Sequence, residues 1–420
     1  MSRPKSTASA LALLGAVLVS WVATLVLLRV TATAPEVAGL GFGFGPLIGT
    51  LAEEGVYADC LGPACARAHR MPALPTLLAA LARVVGPETA PVAVARSALV
   101  APWAVLALWL GARRSRGAPW AARSALVAGV LLCPPWLVHT LLPVPEESLL
   151  NPLAAAITAV LLWGRGRPAA LGLGLLVGLL VLTKSGLWPL GAILCVGAHV
   201  RLGGWRGAWP SWLALALAAL GWSAWVASTG GPFAPVTSLD GWNLHKGNNP
   251  RVLEVYPAHS LDRLSPWLAA QAPTSVAESE WAAHRYHAAQ GLRFWRERPG
   301  LALRGTLVKA WAFFARVELP SAQEPAWRRV ASWLSLPFLI GFRLLLAAVL
   351  WRALRTLGSK PRCLDPWLLL AAVAAYALPA IVGFAYERHA LVLLAPTALL
   401  ALHRLEQRSP VNEAPAPPLQ

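Results

Sequence analysis

Charge is what this sequence has least of. Only 13% of its 420 residues are Asp, Glu, Lys or Arg, about half the share of an ordinary soluble domain. Methionine is nearly absent and there are five cysteines, too few for a disulfide-stapled secreted scaffold of this size. No Walker A loop, HExxH helix, GxSxG elbow or pair of CxxC motifs occurs, so ATP coupling, zinc hydrolysis and α/β-hydrolase chemistry have no support.

What fills the space is apolar. Hydrophobic residues make up 57% of the chain and mean hydropathy is +0.55. They arrive in blocks: Ala10 to Val30, Pro91 to Leu110, Ser124 to Leu142, Leu149 to Trp163, Ala169 to Val181, Leu187 to Val200, Trp209 to Ser228, Val330 to Leu350, Pro366 to Phe384 and Ala390 to His403. Several reach the roughly 20 residues that cross about 30 Å of hydrocarbon. The expected fold class is therefore an all-α polytopic membrane protein of about ten spans, forming one domain over 1–408. The first block has no clear small-x-small cleavage site and is expected to be an uncleaved span.

The net charge of +17 does not indicate nucleic acid, because its placement alternates. Arg3 and Lys5, Arg113 to Arg123, Arg165 and Arg167, Arg201 and Arg206, Arg352 to Arg362, and Arg404 and Arg408 all fall in alternate connections. The positive-inside rule puts these and both termini in the cytoplasm. The opposite turn, Pro143 to Ser148, carries Glu146 and Glu147. Two larger outer loops follow, over 31–90 and 229–329. The tail, 409–420, is Pro-rich and polar, a composition of disorder.

The first outer loop starts Gly-rich and then reads as a short helix, Pro46 to Glu54, ending at Gly55. A segment beginning near Ala73 suits a helix lying in the interface. Cys60 and Cys65 stand in a compartment where a disulfide can form. Cys133 and Cys195 read as apolar packing residues. In the second loop, Asn, Gly and Pro over 238–257 predict turns and not a helix. Ser279 to Arg298 reads as an amphipathic surface helix, and another follows from Pro299. Many of the 21 tryptophans sit at block ends, as interface anchors do.

Four stretches in order then carry a resemblance: "HRMPALPTLLAAL" at 69–81, "LVLTKSGLWPL" at 180–190, "GWNLHKGNNP" at 241–250 and "YERHALVLLAPTALLAL" at 386–402. Together they resemble the GT-C-fold membrane glycosyltransferases of the protein mannosyltransferase, aminoarabinose transferase and lipopolysaccharide-core transferase type. The resemblance implies a bundle with two periplasmic loops. It also implies a polyprenyl-phosphate-linked sugar donor, a lipid, glycan or protein acceptor, and the bacterial inner membrane. Relatives carry an Asp early in the first loop, but Leu40 to Gly49 holds no acid here. The candidate catalytic acids are therefore Glu53, Glu54 and Asp59, because transfer to a hydroxyl needs a carboxylate near the nucleophile.

Arg70, Lys184, Arg388 and His389 are candidate ligands of the donor phosphate. An ionisable residue such as Lys184, set between two apolar blocks, costs roughly 2.5–3.5 kcal/mol unless it snorkels or pairs. His69, His245, Lys246, Asn248 and Asn249 are candidate cleft residues. Asn248 and Asn249 have turn capping as their alternative. No cofactor is required by the pattern, with a divalent cation left open. A flippase of lipid-linked saccharide and a non-catalytic assembly factor are the competing readings.

Overall fold

The computed structural model describes residues 44–61, 64–86, 103–115, 118–141, 146–273, 279–317, 326–360, 364–383 and 385–407. The expected first span, the start of the first outer loop and the tail after Gln407 lie outside them.

The described chain is helical except for one small hairpin. In order it runs α1 (Phe44–Glu53), β1 (Asp59–Leu61), β2 (Ala64–Ala66), α2 (Ala73–Val85), α3 (103–114), α4 (Trp120–Leu131), α5 (Pro134–Leu141), α6 (Glu147–Trp163), α7 (Gly166–Val181), α8 (Trp188–Arg201) and α9 (Trp205–Ser228). There follow α10 (Leu239–Gly247), α11 (Val252–Val255), α12 (Ser265–Gln271), α13 (Glu280–Glu297), α14 (Pro299–Phe314), α15 (Ala326–Ser359), α16 (Leu364–Val382), α17 (Glu387–Leu391) and α18 (Leu394–Gln407). Among the described residues three helices are long and apolar enough to cross a membrane: Trp205–Ser228, Ser332–Ser359 and Leu364–Val382. Shorter apolar helices, among them α6 and α7, complete a polytopic helical membrane bundle.

The short helix expected from Pro46 is α1, which buries Phe44, Leu47 and Ile48 along one stripe. It packs on α2, whose Leu74, Leu78, Leu81 and Ala82 are buried at helical spacing. Arg83 closes the pair from below. Its Nε and Nη2 donate to the carbonyls of Ala52 and Leu51, each at 2.8 Å, where a cation meets the negative end of α1. Gly55 then turns the chain at φ +74°, a conformation glycine adopts at little cost.

The block Ser124 to Leu142 is not one helix. It breaks at Leu132 and Cys133, because Pro134 and Pro135 have no N–H to continue the ladder. The block from Val330 instead extends to Ser359. Its buried Arg343 sits inside an apolar span, where a cation is costly. Its Nη1 donates to the carbonyl of Phe313 at 2.6 Å and its Nη2 to that of Arg316 at 3.3 Å, at the open C-terminal end of α14.

The turn structure expected over 238–257 is overturned in part. Leu239–Gly247 is the helix α10, which ends only at Asn248. Its start is held by Asp240, whose Oδ2 accepts from the Thr237 N–H at 2.7 Å. The amphipathic helix expected from Ser279 is α13, N-capped by Ser279, with Trp281, His287, Gly291 and Phe294 buried. The helices α10 and α13 approach closely because glycines face the contact. A Cβ on Gly241 would lie 2.2 Å from the His284 carbonyl oxygen.

Candidate functional site

A cavity of about 560 Å3 opens where several helix ends meet. The N-terminus of α6, the turn between α7 and α8, the inner face of α10, the C-terminus of α16 and the Arg388–His389 pair all contribute to its wall. Unusually for a site beside apolar helices, it is lined by four basic and four acidic side chains: Arg70, Lys184, Lys246 and Arg388 against Glu146, Glu147, Asp240 and Asp262.

One cluster centres on Glu147, the first residue of α6. Its side chain is 2% exposed, and Oε1 meets Lys184 Nζ at 3.2 Å and His389 Nε2 at 3.3 Å. The Tyr386 N–H points to His389 Nδ1 at 3.4 Å, which leaves Nε2 as the nitrogen that donates to Glu147. Glu146, at 17% exposure, reaches Lys184 at 3.5 Å and Arg70 at 3.6 Å. Lys184 is thus held by two carboxylates. Burial pulls its pKa down, but Glu147 and Glu146 together raise it above the usual lysine value. Arg70 is braced from behind by the ring of Phe44, 4.7 Å from its guanidinium carbon. Its backbone carbonyl accepts from the Tyr57 hydroxyl at 2.9 Å.

A second cluster stands across the cavity. Lys246 donates to Asp262 Oδ1 at 2.7 Å, while Asp262 Oδ2 accepts from Ser260 at 2.9 Å and from Tyr386 at 3.1 Å. Burial pushes the Asp262 carboxyl up, yet Lys246 and the hydroxyl donors outweigh it and the pKa falls below the usual carboxylate value. For Lys246 burial wins over Asp262, and its pKa is lowered. The Arg388 guanidinium lies over the ring of Tyr386, 4.8 Å from its centre.

Asp240 links the two. Its Oδ1 accepts from the Ser185 hydroxyl at 2.7 Å, tying α10 to the residue next to Lys184. Burial raises its pKa despite the donors from Thr237 and Ser185.

Of the residues singled out in the sequence, the structure brings His69, Arg70, Lys184, Lys246, Arg388 and His389 to this cavity. Burial, aided by Arg70, lowers His69 to about 4, so it is a neutral imidazole at pH 7. Glu53 and Glu54 do not line the cavity; they are exposed at the C-terminal end of α1. Asp59 does not line it either. It is buried at the start of β1 with Oδ1 lacking a hydrogen bond, and burial raises its pKa.

The two asparagines turn inward. Asn248 Nδ2 donates to the carbonyls of Leu244 and Val382, both at 2.7 Å, and its Oδ1 accepts from Trp295 at 3.0 Å. Asn249 Nδ2 donates to His245 and Lys246 carbonyls, and its Oδ1 accepts from the Arg251 N–H. Both cap α10 and lie outside the lining. His245 faces His287 instead, with Nδ1 atoms 3.0 Å apart. Beneath them, Lys309 Nζ donates to the carbonyls of Gly247, Val382 and Gly383 at 2.8, 3.0 and 3.0 Å, fastening α10 to α16. Cys65 is disulfide-bonded, and its backbone partner across the hairpin is Cys60.

Sequence reasoning missed all four carboxylates of the cavity as site residues. Glu146 and Glu147 are legible as two adjacent acids between prolines at the mouth of an apolar block, but they mark only a side of the membrane until the fold folds that turn inward. Among the described residues no three His, Cys, Asp or Glu side chains converge as a metal site.

No known family matches this chain, and no curated protein does. Among solved structures it is similar to ArnT from Cupriavidus metallidurans bound to undecaprenyl phosphate, at 15% identity and a TM-score of 0.41 over 97% of this chain and 79% of that one. The apo state of the same protein aligns at 15% identity and a TM-score of 0.37 over 92% and 78%.

Proposed function

We propose that this protein is a membrane glycosyltransferase of the bacterial inner membrane, moving a sugar from a polyprenyl-phosphate-linked donor to a lipid, glycan or protein acceptor at the periplasmic face. The observation that carries the reading is the cavity of four basic and four acidic side chains at one end of apolar helices. A lipid carrier needs a hydrocarbon-facing wall, its phosphate needs cations, and the acceptor needs a carboxylate beside them. The order of the four sequence stretches supports the same reading.

The chemistry follows from charge. In the donor the phosphate is a diester with one negative charge. As the bond from the anomeric carbon to phosphate oxygen breaks, the leaving prenyl phosphate gains a second. Fixed cations aimed at that oxygen stabilise the transition state more than the ground state. We assign this role to Arg70, Lys184 and Arg388, with Lys246 at the sugar side.

The acceptor hydroxyl attacks the anomeric carbon and gives its proton to a carboxylate. In a single displacement the hydroxyl attacks the face of that carbon opposite the departing phosphate, so the base stands within one sugar ring of the phosphate cations. Glu146 meets two of them and is more accessible than Glu147, so we assign the base to Glu146 in place of Glu53, Glu54 or Asp59. Asp240 positions Lys184 through Ser185.

The test is release of prenyl phosphate by purified protein in lipid, over a panel of polyprenyl-phosphate sugars with envelope extract as acceptor. Turnover lost in Glu146→Gln and Arg388→Gln but retained in Glu54→Gln is the expected result. Donor binding without turnover by the wild type against the whole panel would refute the transferase and leave the assembly-factor reading. Movement of intact donor across the bilayer would establish a flippase.

A further inference from the structure

Two helices that wall the cavity end at the same point. Gly247 closes α10 and Val382 closes α16, and the backbones come so near that a Cβ on Gly247 would lie 1.5 Å from the Gly383 carbonyl oxygen. Each C-terminal end carries open carbonyls and the negative pole of its dipole, so side by side the two repel. A cation between them removes the conflict.

Lys309 of α14 is that cation. Its side chain is fully buried, and Nζ donates to the carbonyls of Gly247, Val382 and Gly383 at 2.8, 3.0 and 3.0 Å. The Asn248 amide oxygen lies 3.5 Å away. An ammonium has three protons and no lone pair, so three carbonyls use it completely. A neutral amine has two protons and a lone pair, which leaves one carbonyl unserved and turns the lone pair toward it.

The clamp holds part of the cavity wall. Lys246 precedes Gly247 on α10, and past Gly383 the chain runs to α17, which brings Arg388 and His389 to the cavity. Neutral donors pin the rest of this connection: Asn248 Nδ2 on the Val382 carbonyl, the Tyr256 hydroxyl on that of Ala385 and the Tyr376 hydroxyl on that of His389. Lys309 is the charged member of the set.

We propose that Lys309 is a positioning residue for the transfer reaction: its ammonium sets Lys246 and the Arg388–His389 pair in the cavity, and turnover needs it protonated. For the reaction this rests on the transferase reading above; for the geometry it stands on the contacts alone. Lys309 lies outside the three long apolar helices, and burial lowers its pKa to about 7. Titratable groups on the surrounding elements meet other partners. Lys246 of α10 meets Asp262, and His287 of α13 meets His245. Tyr376 of α16 meets the His389 carbonyl, and Arg343 of α15 that of Phe313. Stability and turnover should therefore respond to pH with opposite signs. Between about 7 and the unfolded value near 10.4 the unfolded lysine binds more proton than the folded one, so this group's contribution to stability rises with pH. Turnover should fall over the same range as the clamp loses its third proton, whereas a residue serving stability alone would move both together.

The test measures initial rates of prenyl phosphate release by the full chain in lipid, over the polyprenyl-phosphate sugar panel and from about pH 5.5 to 9.5. Wild-type kcat should fall as pH rises through about 7. Lys309→Met should lower kcat at pH 6 by about 100-fold, the cost of a misplacement near 1 Å, with donor KM within about threefold and no further fall at higher pH. Lys309→Arg stays charged throughout and should restore kcat to within about tenfold of wild type while abolishing the fall. Hydrogen exchange at pH 6 gives a readout that needs no turnover: amides of 239–249 and 385–391 should exchange about tenfold faster or more in Lys309→Met, with those of 147–163 unchanged.

A wild-type kcat that is flat or rising above pH 7, a Lys309→Arg profile that keeps the fall, or a Lys309→Met kcat within threefold of wild type would overturn the proposal. Wild-type protein that turns over no donor refutes the transferase reading instead. Exchange then decides the clamp: faster exchange upholds it and unchanged exchange overturns it. Should neither variant stay monodisperse, wild-type kcat and stability must still run in opposite directions with pH, and parallel courses would overturn the proposal.

Discussion

Replacing Lys184 with methionine isolates the central charge pair of the cavity. The substitution keeps length and apolar stem but removes the ammonium that meets Glu147 at 3.2 Å and Glu146 at 3.5 Å. At an effective dielectric of about 20 the closer contact alone is worth ~5 kcal/mol in gross Coulomb attraction. Most of that offsets the cost of desolvating both partners. What the variant exposes is the penalty of a carboxylate left at 2% exposure without its ammonium partner, and breaking a buried pair by removing one partner costs roughly 3–5 kcal/mol. Lys184 is 28% exposed to the cavity and Glu146 can turn toward water, so the expected loss is about 2–3 kcal/mol.

The assay is equilibrium unfolding by sodium dodecyl sulfate in mixed micelles at pH 7. The double variant Lys184→Met, Glu147→Gln should recover at least half of the loss, because the buried charge goes with its partner. The sign with pH is also fixed. The folded pKa of Lys184 lies above its unfolded value, so the pair's contribution is complete below the unfolded value near 10.4 and fades only as pH rises through the folded one. The pH 7 and pH 9 results must therefore agree. A loss under 0.5 kcal/mol in the single variant, or strict additivity in the double, would refute the account.

Glu53→Ala and Glu54→Ala should leave prenyl phosphate release within threefold of wild type, whereas Glu146→Gln should lower it by about 100-fold or more, as loss of a general base does; initial rates at saturating donor check both. His245 is lowered to about 4 by burial, with His287 adding to the effect, so below its unfolded value near 6.5 the unfolded chain takes up the proton first and stability falls. Unfolding should be ~2 kcal/mol easier at pH 4.5 than at pH 7.5 from this group, and His245→Gln should flatten that slope. Gly241→Ala sets a Cβ 2.2 Å from the His284 carbonyl oxygen and should cost about 1–3 kcal/mol by forcing α10 from α13. Gly300→Ala, with nothing within 4 Å, should be neutral or stabilising by up to ~1 kcal/mol; denaturant titrations of the pair make the comparison.

Helix content, the apolar spans and the amphipathic segment from Ser279 were legible in the sequence, because period and length are local properties that a bilayer or a core selects directly. Lys184, Arg70, Arg388 and His389 were legible for a related reason: ionisable groups beside apolar blocks are costly and so stand out. The inward turn of Glu146 and Glu147 was not legible, because nothing within Pro143 to Ser148 distinguishes a solvated loop from one facing Arg70, 76 positions earlier in the chain. The asparagines of "GWNLHKGNNP" read as ligands or caps; both bond carbonyls of α10, and only the tertiary structure brings the Val382 carbonyl of α16 to Asn248. Local pattern determined which segments are helices and which side chains are expensive. Which expensive side chains meet, and so where a phosphate could sit, was decided by contacts between residues far apart in sequence, which no local period encodes.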